Sequence, residues 1–368
     1  MISYIIPTRN RPEVLQETLA GIEILGAHPG CAEIIVVDNA SDALPRLPRA
    51  LRSGIPIDLV RRASNQGAAA RNFASLHADP ASEWLVMLDD DSAPLDLRFI
   101  EVLRQQPPDV GAVSADIFLG GCPRSITGRE QGGLPEVFIG CGVAVRRGLF
   151  TSLGGYDAAF NYYAEEYDLA ARMLMNGYRV AFDRRFRVLH RKVTAGRDMN
   201  TILGRLVRNN GWVIQRYAPP ATRRRQLRAM RQRYRAIATK ENAISGFANG
   251  LRELARSIRS QRRTPMPPDL WRRFTGAAAA REGLAWNLSL RGVRTAAVIE
   301  PGKNAEIVRA VLAELGIAEV QEEQAEALVI GTLSPGPMMD AFERRRSDAR
   351  VVAPCRLGEA PSTLIRAA

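Results

Sequence analysis

Residues 84–94 constrain the fold more than any other stretch, because an apolar run there ends in three consecutive aspartates. Residues 84–88 are apolar without alternation, which is typical of a strand buried on both faces of a parallel sheet. In open α/β sheets, ligands bind beyond the carboxyl ends of such strands. Adjacent carboxylates repel one another and are costly to bury, and a divalent cation held by Asp89 and Asp91 would relieve that cost. The stretch therefore predicts a cation-binding edge of a sheet.

A second interpretation of this stretch stays open, in which a solvated acidic turn caps a helix that begins near Asp96. Short acidic motifs are frequent in proteins without any ligand. The preceding elements favour the sheet, because three apolar runs each end in polar residues and helical patterns begin near Glu13 and after Asn65. The runs are residues 2–6, 34–37 and 57–60. This alternation predicts a parallel α/β sheet with its site at one edge.

The chain of 368 residues is long enough for two domains. No apolar run approaches the length of a membrane span, and the chain begins on a strand-like segment rather than on a signal peptide. Four scattered cysteines without a Cys-x-x-Cys pair are typical of free thiols in a reducing cytosol. The net charge of +12 suits an anionic membrane surface, a phosphorylated substrate or nucleic acid. We therefore expect a cytoplasmic protein.

Two features of the first half favour a nucleotide ligand. Asp38 follows a buried strand, where its carboxylate would accept hydrogen bonds from a base or ribose. The small residues after Asn65 allow close approach of a ligand at a helix N-terminus, which favours anions. Each feature also has a structural explanation, because Asp38 suits a turn or cap and the alanines suit tight helix packing. The chain lacks a Walker phosphate loop and a Gly-x-Gly-x-x-Gly motif after its first strand, which disfavours an ATPase or a dinucleotide enzyme.

Residues 111–146 have the pattern of two strands around a loop. The first strand is predicted at 111–117. Residues 120–135, rich in Gly, Pro, Ser and Arg, predict a long loop of the kind that is often functional. A second strand at 137–146 is interrupted by two glycines, which often mark the close approach of a ligand. We expect the loop to contribute to the choice of substrate.

A pair of glutamates and one histidine complete the candidates in this half. Glu165 and Glu166 open a predicted helix beside aromatic residues. Acids stabilise a helix N-terminus in any protein, but a carboxylate partly desolvated by aromatics also gains basicity and suits a general base. His190 ends a short predicted strand at 187–190. A lone histidine is usually structural, whereas one at a strand end beside an acidic site suits a metal.

The composition changes after residue 212. A basic helix is predicted at 223–237 and a second helix at 251–259. These are either solvated helices packed on the core or a surface for an anionic membrane or a lipid-diphosphate acceptor. No nucleic-acid-binding motif accompanies the charge, so nucleic acid is not expected as a partner.

A proline-rich break at 265–268 precedes a segment with the pattern of a small α/β module. Its strands are predicted at 296–299, 327–330 and 351–352, and its helix at 304–315. Pro301-Gly302-Lys303 resembles a fragment of a phosphate loop without the full spacing. For this module a role in protein interaction or dimerisation is more expected than a second catalytic site. The predicted division of the chain is 1–217, a basic helical extension and linker at 218–290, and the module at 291–368.

Taken together, these motifs resemble family 2 of the inverting glycosyltransferases, which has the GT-A fold. The resemblance covers residues 2–217, and it rests on the order of motifs that are individually weak. The motifs are Pro7-Thr8-Arg9-Asn10-Arg11, Val37-Asp38-Asn39, Asn65-Gln66-Gly67, Asp89-Asp90-Asp91, Gly154-Gly155-Tyr156-Asp157, Glu165-Glu166-Tyr167-Asp168, Gly177-Tyr178 and His190. The implied fold is α/β, with a GT-A type mostly parallel sheet flanked by helices, followed by the basic helical region and the small α/β module.

The resemblance also implies roles for the matching residues. The implied donor-binding residues are Pro7, Thr8, Arg9, Asp38, Asn65, Gly67, Arg71, Asp89 and Asp90. The implied metal ligands are Asp89, Asp91 and His190. The segment that supplies the catalytic base carries Glu165 and Glu166, where relatives more often have Glu-Asp. Glu166 occupies the usual position of the base, and Glu165 remains the alternative.

The implied reaction moves a hexosyl or deoxyhexosyl group from a UDP-, dTDP- or GDP-sugar to an acceptor hydroxyl with inversion, in polysaccharide, glycolipid or glycoconjugate synthesis. Mg²⁺ or Mn²⁺ would neutralise the leaving diphosphate. One alternative is a nucleotidyltransferase that makes sugar nucleotides, which would want a glycine-rich loop where this chain has Pro7-Thr8-Arg9-Asn10. Another is a catalytically silent binding protein. A peripheral position at the inner membrane face and a homo-oligomer are further expectations.

Overall fold

The computed structural model describes residues 1–193, 198–289 and 292–356. A large mixed sheet occupies the first half of the chain. Its strands are β1 Ile2–Thr8, β2 Ala32–Asp38, β3 Ile57–Arg61, β4 Trp84–Met87, β5 Ser92–Pro94, β6 Val110–Gly120, β7 Ile126–Arg129, β8 Val143–Arg146 and β9 Arg179–His190. They lie in the order β3-β2-β1-β4-β8-β6-β9-β5, and β7 pairs with the last residues of β6.

Helices pack against this sheet and then form the middle of the chain. They are α1 Pro12–Ile24, α2 Ala70–Ser75, α3 Arg98–Arg104, α4 Arg147–Ser152, α5 Glu165–Met175, α6 Met199–Tyr217, α7 Pro220–Lys240, α8 Ile244–Ser257, α9 Pro268–Phe274, α10 Ala277–Leu284, α11 Ala305–Glu314 and α12 Pro335–Arg345. Across the described ranges, none of the helices combines the length and the apolar character needed to span a bilayer.

The first four strands form a parallel block, and β6 is parallel to β9. The strands β5, β7 and β8 run antiparallel to their neighbours. Ile5 and Leu85 pack into one apolar cluster, whereas Tyr4 and Val86 pack into a second. Both faces of these strands are therefore buried, as the unbroken apolar runs predict. The predicted α/β class, with a sheet flanked by helices, is confirmed.

Two predictions for residues 111–146 are wrong in detail. Of the strand expected at 137–146, only β8 forms, because the residues before it leave the sheet and line a cleft. Gly142 lies at this exit, where a Cβ atom would be 2.7 Å from the Ile117 side chain. The loop expected at 120–135 contains β7, whose residues show no apolar alternation that would reveal a strand.

The strand expected at 187–190 is only the end of β9, which begins eight residues earlier. The register against β6 shifts, so that Ala115 pairs with Asp183 but the next residue, Asp116, pairs with Arg187. The residues that bulge between them are two exposed arginines and a buried phenylalanine. This irregularity removes the period-2 pattern from which a strand is predicted.

The second middle helix begins at Ile244, seven residues before the predicted start at 251. Its first half contains glycines, which lower helix propensity and obscure the pattern. Gly246 is required by packing, since a Cβ atom there would lie 2.2 Å from the Asn200 carbonyl oxygen. The glycines therefore allow α8 to approach α6 closely.

The module after the proline break forms a second sheet, as predicted. Its strands are β10 Thr295–Ile299, β11 Ala318–Glu319, β12 Ala327–Ile330 and β13 Val351–Val352. They are all parallel and lie in the order β11-β10-β12-β13. One continuous apolar cluster joins this sheet to one face of the larger sheet, with Leu134 and Phe138 on one side and Leu328 and Leu333 on the other.

A buried arginine also joins the two sheets. Arg129 at the end of β7 donates to Asp116 of β6 at 2.8 Å and to Asp340 of α12 at 2.7 Å. Its guanidinium also donates two hydrogen bonds of 3.0 Å to Glu343. Burial raises the pKa of Asp116, although the charge of Arg129 opposes the shift. The module is thus docked on the larger sheet by a charge network as well as by apolar contacts.

We predict that Arg129→Met lowers the free energy of unfolding by about 3 kcal/mol, because it leaves the buried Asp116 without its cation. Arg184→Met is the matched control, since Arg184 is exposed and lies 3.7 Å from Glu343. It is expected to change stability by less than about 1 kcal/mol. Urea unfolding followed by tryptophan fluorescence compares the two, and equal effects would contradict a structural role of the network.

Candidate functional site

A cleft of about 600 Å³ opens where β1 and β4 end. Most of the residues predicted for the site lie on its wall. They are Pro7, Thr8, Arg9, Gly67, Arg71, Asp89, Asp90, Asp91, Glu165, Glu166 and His190. Asp38 and Asn65 lie outside this wall, although the residue after Asp38 belongs to it. Residues that the sequence separates by up to 183 positions, from Pro7 to His190, are thus gathered at one edge of the sheet.

Asp91 and His190 meet because of the register between two strand ends. β5 begins directly after Asp91 and pairs with the end of β9, so that Ser92 lies opposite His190. As a result, Asp91 Oδ1 lies 3.3 Å from His190 Nε2. The Val193 amide donates to Asp91 Oδ2 at 3.0 Å. The strand pairing therefore fixes this carboxylate against the imidazole.

The three aspartates share two arginines. Arg71, itself buried, pairs with Asp89, whose side chain is 41% exposed. Arg11 lies 2.9 Å from Asp90 Oδ1 and 2.9 Å from Asp91 Oδ2. Asp90 and Asp91 are both buried, so the pairing with Arg11 offsets the cost of removing their charge from water. Asp89 is left facing the cleft.

Burial gives the two inner aspartates different protonation behaviour. Burial raises the pKa of Asp90 to about 7, although Arg11 and a hydrogen bond from Thr8 oppose the shift. Burial acts in the same direction on Asp91, but contacts with His190 and Arg11 outweigh it and hold its pKa well below the usual range. Asp91 therefore remains a carboxylate at neutral pH.

His190 is held from both sides of its ring. Its Nδ1 lies 2.7 Å from Glu130 Oε2, and Lys192 donates to the other oxygen of Glu130 at 2.8 Å. Burial disfavours the charged imidazole, but its contacts with Cys141, Asp91 and Glu130 outweigh burial and raise the pKa of His190. Since Glu130 occupies Nδ1, Nε2 is the nitrogen that faces Asp91, and a metal would bind there in place of the Nε2 proton.

The donor set fits a divalent metal. Ligand atoms of Asp89, Cys141 and His190 lie within 4.8 Å of one another, and Asp91 contacts the same imidazole. Atoms that bind one ion at about 2.0–2.6 Å lie at such distances from each other. Carboxylates and an imidazole suit Mg²⁺ or Mn²⁺, whereas the Cys141 thiol is a soft ligand. Burial raises the pKa of that thiol to about 11, which leaves the carboxylates and the imidazole as the better donors.

Asp38 is fully buried at the end of β2. Its Oδ1 accepts from the Ser41 amide at 3.1 Å, which is the turn role that the sequence also allows. Its Oδ2 lies 3.5 Å from Arg61 Nε and accepts no hydrogen bond from any residue that the structure describes. One oxygen of Asp38 thus serves the fold and the other is unsatisfied.

The glycine before α2 serves packing as well as the cleft. Gly67 has a φ of +58°, and a Cβ atom there would lie 2.1 Å from the Asn161 carbonyl oxygen. Asn65 Oδ1 accepts from the Gly67 amide at 2.9 Å, and Asn39 Nδ2 donates to the Gly67 carbonyl at 3.1 Å. The Ala68 amide donates to the Asn161 carbonyl at 2.7 Å, and this bond holds the start of α2 against the segment that precedes α5.

Glu165 and Glu166 differ in their exposure to the cleft. Glu165 is buried, and its Oε2 has no hydrogen-bond partner among the described residues. Glu166 is half-buried, and its Oε1 lies 3.4 Å from the Gly140 amide. Burial, together with the charge of Glu166, raises the pKa of Glu165 well above its usual value. Burial also raises the pKa of Glu166, although Arg71 opposes the shift.

The segment before these glutamates has a strained backbone. Asn161, Tyr163 and Ala164 have φ values of 62°, 71° and 65°, which are costly for residues other than glycine. Asn209 of α6 holds them there, because its Nδ2 donates to the carbonyls of Phe160, Tyr162 and Tyr163 at 3.0, 2.9 and 2.7 Å. The geometry of the segment before α5 therefore depends on a helix that follows it.

Several residues of the cleft wall were not predicted from the sequence. They are Arg11, Asn39, Glu130, Phe138, Cys141, Tyr162, Tyr163, Lys192 and Lys303. Arg11 belongs to a donor-rich loop that the sequence does reveal. Glu130 belongs to the predicted loop at 120–135 and Lys303 to the fragment that resembles a phosphate loop. Neither signal identifies these residues as part of the cleft wall, because long-range packing brings them there.

Residues 3–146 match the family model described as glycosyl transferase family 2. No curated protein sequence matches the chain. Similar solved structures include PcManGT, TarS and GalNAc-T7. The mannosyltransferase PcManGT from Pyrobaculum calidifontis, in complex with GDP-Man and Mn²⁺, is 19% identical, with a TM-score of 0.46 over 79% of this chain and 82% of that one. TarS 1-349 from S. aureus in complex with UDP-GlcNAc is 15% identical, with a TM-score of 0.47 over 77% of this chain and 92% of that one. GalNAc-T7 with UDP, GalNAc and Mn²⁺ is 16% identical, with a TM-score of 0.48 over 71% of this chain and 57% of that one.

We predict that Asn209→Ala lowers the free energy of unfolding by about 2 kcal/mol, because carbonyls of the strained segment lose their buried donor. Asn210→Ala is the matched control, since its Nδ2 donates only to Leu206 within the same helix. Urea unfolding measures stability, and hydrogen exchange is expected to accelerate at residues 161–164 in the first variant alone. Equal exchange in both variants would contradict the role of Asn209.

Proposed function

We propose a specific reaction for this chain, whose residues 3–146 match the model of glycosyl transferase family 2. The protein transfers a hexosyl or deoxyhexosyl group from a nucleotide-diphosphate donor to an acceptor hydroxyl with inversion. The observation that carries the proposal is that Asp89, Asp91 and His190 share one cleft with Glu165 and Glu166. A donor with a leaving diphosphate and an acceptor hydroxyl that must lose its proton during attack need these two sets of groups side by side.

The donor's diphosphate would bind on the aspartate side of the cleft. Asp89, Asp91 and His190 would hold Mg²⁺ or Mn²⁺, which supplies the positive charge that stabilises the leaving diphosphate. Arg71 already neutralises part of the charge of Asp89. Its guanidinium would also lie beside the phosphates, where planar paired donors bind well.

The nucleoside would bind between the ends of β1 and β2. Pro7, Thr8 and Arg9 line this part of the cleft. The unsatisfied Oδ2 of Asp38 supports a hydrogen bond to a base or ribose there, because a buried carboxylate oxygen without a donor is costly. Asn65 would contribute to nucleoside binding indirectly, because its Oδ1 accepts a hydrogen bond from the Gly67 amide and so fixes the position of Gly67. UDP-, dTDP- and GDP-sugars are all compatible with these contacts.

Glu166 would act as the general base. Its partial exposure to the cleft supports this role over that of the buried Glu165. A raised pKa makes the carboxylate a better proton acceptor, and burial has that effect on Glu166. The deprotonated hydroxyl would attack the anomeric carbon on the face opposite the diphosphate, so that a single displacement inverts the configuration.

The acceptor belongs to polysaccharide, glycolipid or glycoconjugate synthesis in this proposal. Helix α7 supports a peripheral position at the cytoplasmic face of a membrane, because it contains no acidic residue and exposes five arginines. They are Arg224, Arg225, Arg228, Arg231 and Arg235. Such a face attracts anionic lipid headgroups.

We predict that UDP, dTDP or GDP stabilises the protein in the presence of Mn²⁺, by about 2.7 kcal/mol at a concentration of 100 times its Kd. Asp89→Asn is expected to abolish the Mn²⁺-dependent part of this thermal shift. Asp96→Asn is the control, since Asp96 lies outside the cleft wall and pairs with Arg98. A nucleotide shift that is equal with and without Mn²⁺ would refute the metal site, and no shift with any nucleotide would refute the donor site.

We predict that Glu166→Gln lowers the transfer rate by at least about 100-fold and leaves nucleotide binding intact. Only the deprotonated carboxylate accepts a proton, so the rate of the wild type should rise with pH through the raised pKa of Glu166. The midpoint of the acid limb of the pH–rate profile should therefore lie above pH 4.5, the usual pKa of a glutamate side chain. Glu165→Gln is the matched variant, and if it alone is inactive the base is Glu165. Retained anomeric configuration in the product, measured by proton NMR, would exclude the single displacement.

A further inference from the structure

Lys303 reaches the cleft from the second sheet. It follows β10, whose carboxyl end lies beside that of β12 at the point where the strand order reverses. Parallel α/β sheets bind ligands at such a point. Here it faces the cleft of the larger sheet, since Lys303 lies on the cleft wall and Ser334 donates to the Gly133 carbonyl at 3.3 Å. The edges of both sheets at which the parallel strands end therefore face the same cleft.

Within the cleft, Lys303 lies on the side of the proposed base. Its Nζ is 3.4 Å from Tyr167 Oη and 5.2 Å from the centre of the Tyr167 ring. Tyr167 directly follows Glu166 in α5. The charge of Glu166 acts on Lys303 across this short separation. A ligand group bound by Lys303 would therefore lie close to the hydroxyl that loses its proton.

Lys303 differs from other cations of the cleft in its pairing. Arg11, Arg71 and Lys192 each form an ion pair with a carboxylate of the site. Arg9 belongs to the loop after β1 on the donor side and donates to a backbone carbonyl. Lys303 has no carboxylate within 4.0 Å in the described ranges. An exposed ammonium without a counter-ion inside a cleft attracts the anion of a ligand.

A second cation without an acidic partner lies on α7, outside the cleft wall. Arg233 of α7 stacks on Tyr234, with its guanidinium carbon 5.2 Å from the ring centre. Its Nε is buried and makes no hydrogen bond to any described residue, which costs free energy unless a ligand accepts it. The charge of Arg233 acts on both Lys303 and Tyr167. Lys303 thus contacts Tyr167 directly, and Arg233 adds a second positive charge with an unsatisfied donor from α7.

We infer that Lys303 and Arg233 form a subsite for an anionic group of the acceptor, a phosphoryl or a carboxylate group near the attacking hydroxyl. This inference rests on the proposed function, because it assigns the substrate class of the same cleft. It makes the acceptor a negatively charged molecule rather than a neutral sugar. It also gives the second sheet a direct part in acceptor selection.

The experiment uses the full chain with the donor site filled. Protein saturated with Mn²⁺ and UDP or GDP is titrated calorimetrically with methyl phosphate and, separately, with acetate. Wild-type protein is expected to bind at least one of these probes. Lys303→Met and Arg233→Met are each expected to weaken that binding by about tenfold, because each removes a charge-assisted contact.

Two matched controls separate the subsite from the general basic surface. Lys240→Met and Arg256→Met remove the same charges from exposed positions of α7 and α8, and both should bind the probe as the wild type does. The nucleotide-dependent thermal shift, measured on every variant, shows that each is folded and that its donor site is intact.

The outcomes distinguish the inference from the function on which it rests. Probe binding that depends on Lys303 and Arg233 supports the subsite, and the preferred probe identifies the anion as phosphoryl or carboxylate. If nucleotide binds with Mn²⁺ but neither probe binds, or if both variants bind the probe as the wild type does, the inference alone is overturned. If no nucleotide binds, the proposed function itself is overturned and the inference falls with it.

Discussion

The charge balance at the end of β4 is the constraint on which the site depends. A strand buried on both faces ends in three carboxylates, two of them buried. Each must be paired with a cation, because a buried charge without a partner costs several kcal/mol. The cations come from separate elements: Arg11 precedes α1, Arg71 lies in α2 and His190 ends β9. The electrostatic requirement of one strand end therefore holds together the elements that line the cleft.

The strained segment before α5 shows a second dependence, in which a distant side chain maintains local geometry. Backbone angles that are unfavourable for Tyr163 and Ala164 persist because Asn209 bonds the surrounding carbonyls. Such conformations occur where function demands a specific arrangement. In this protein the strain lies immediately before the two glutamates of the cleft.

Local patterns predict the strands of the parallel block and the acidic edge. Each buried strand is an uninterrupted apolar run, and the polar residues at its carboxyl end follow it directly in the sequence. The order of the motifs then predicts which strand ends meet. Long-range effects limit the prediction elsewhere. The bulge in β9 hides a strand of twelve residues. Glu130 holds His190 across sixty positions of sequence, and Lys303 enters the cleft only because the second sheet docks there. The local patterns around these two residues therefore do not show that they meet the site.

The shared arginine between the two sheets has a consequence for how such chains can diverge. Arg129 binds Asp116 within the larger sheet and an acidic pair on α12 across the junction. A recombined gene that joined this first half to another C-terminal segment would keep a buried arginine and lose part of its counter-charge. The two halves are therefore expected to be inherited as a single piece, and a viable chimera would have to carry Asp340 and Glu343, or equivalents, along with its new second sheet.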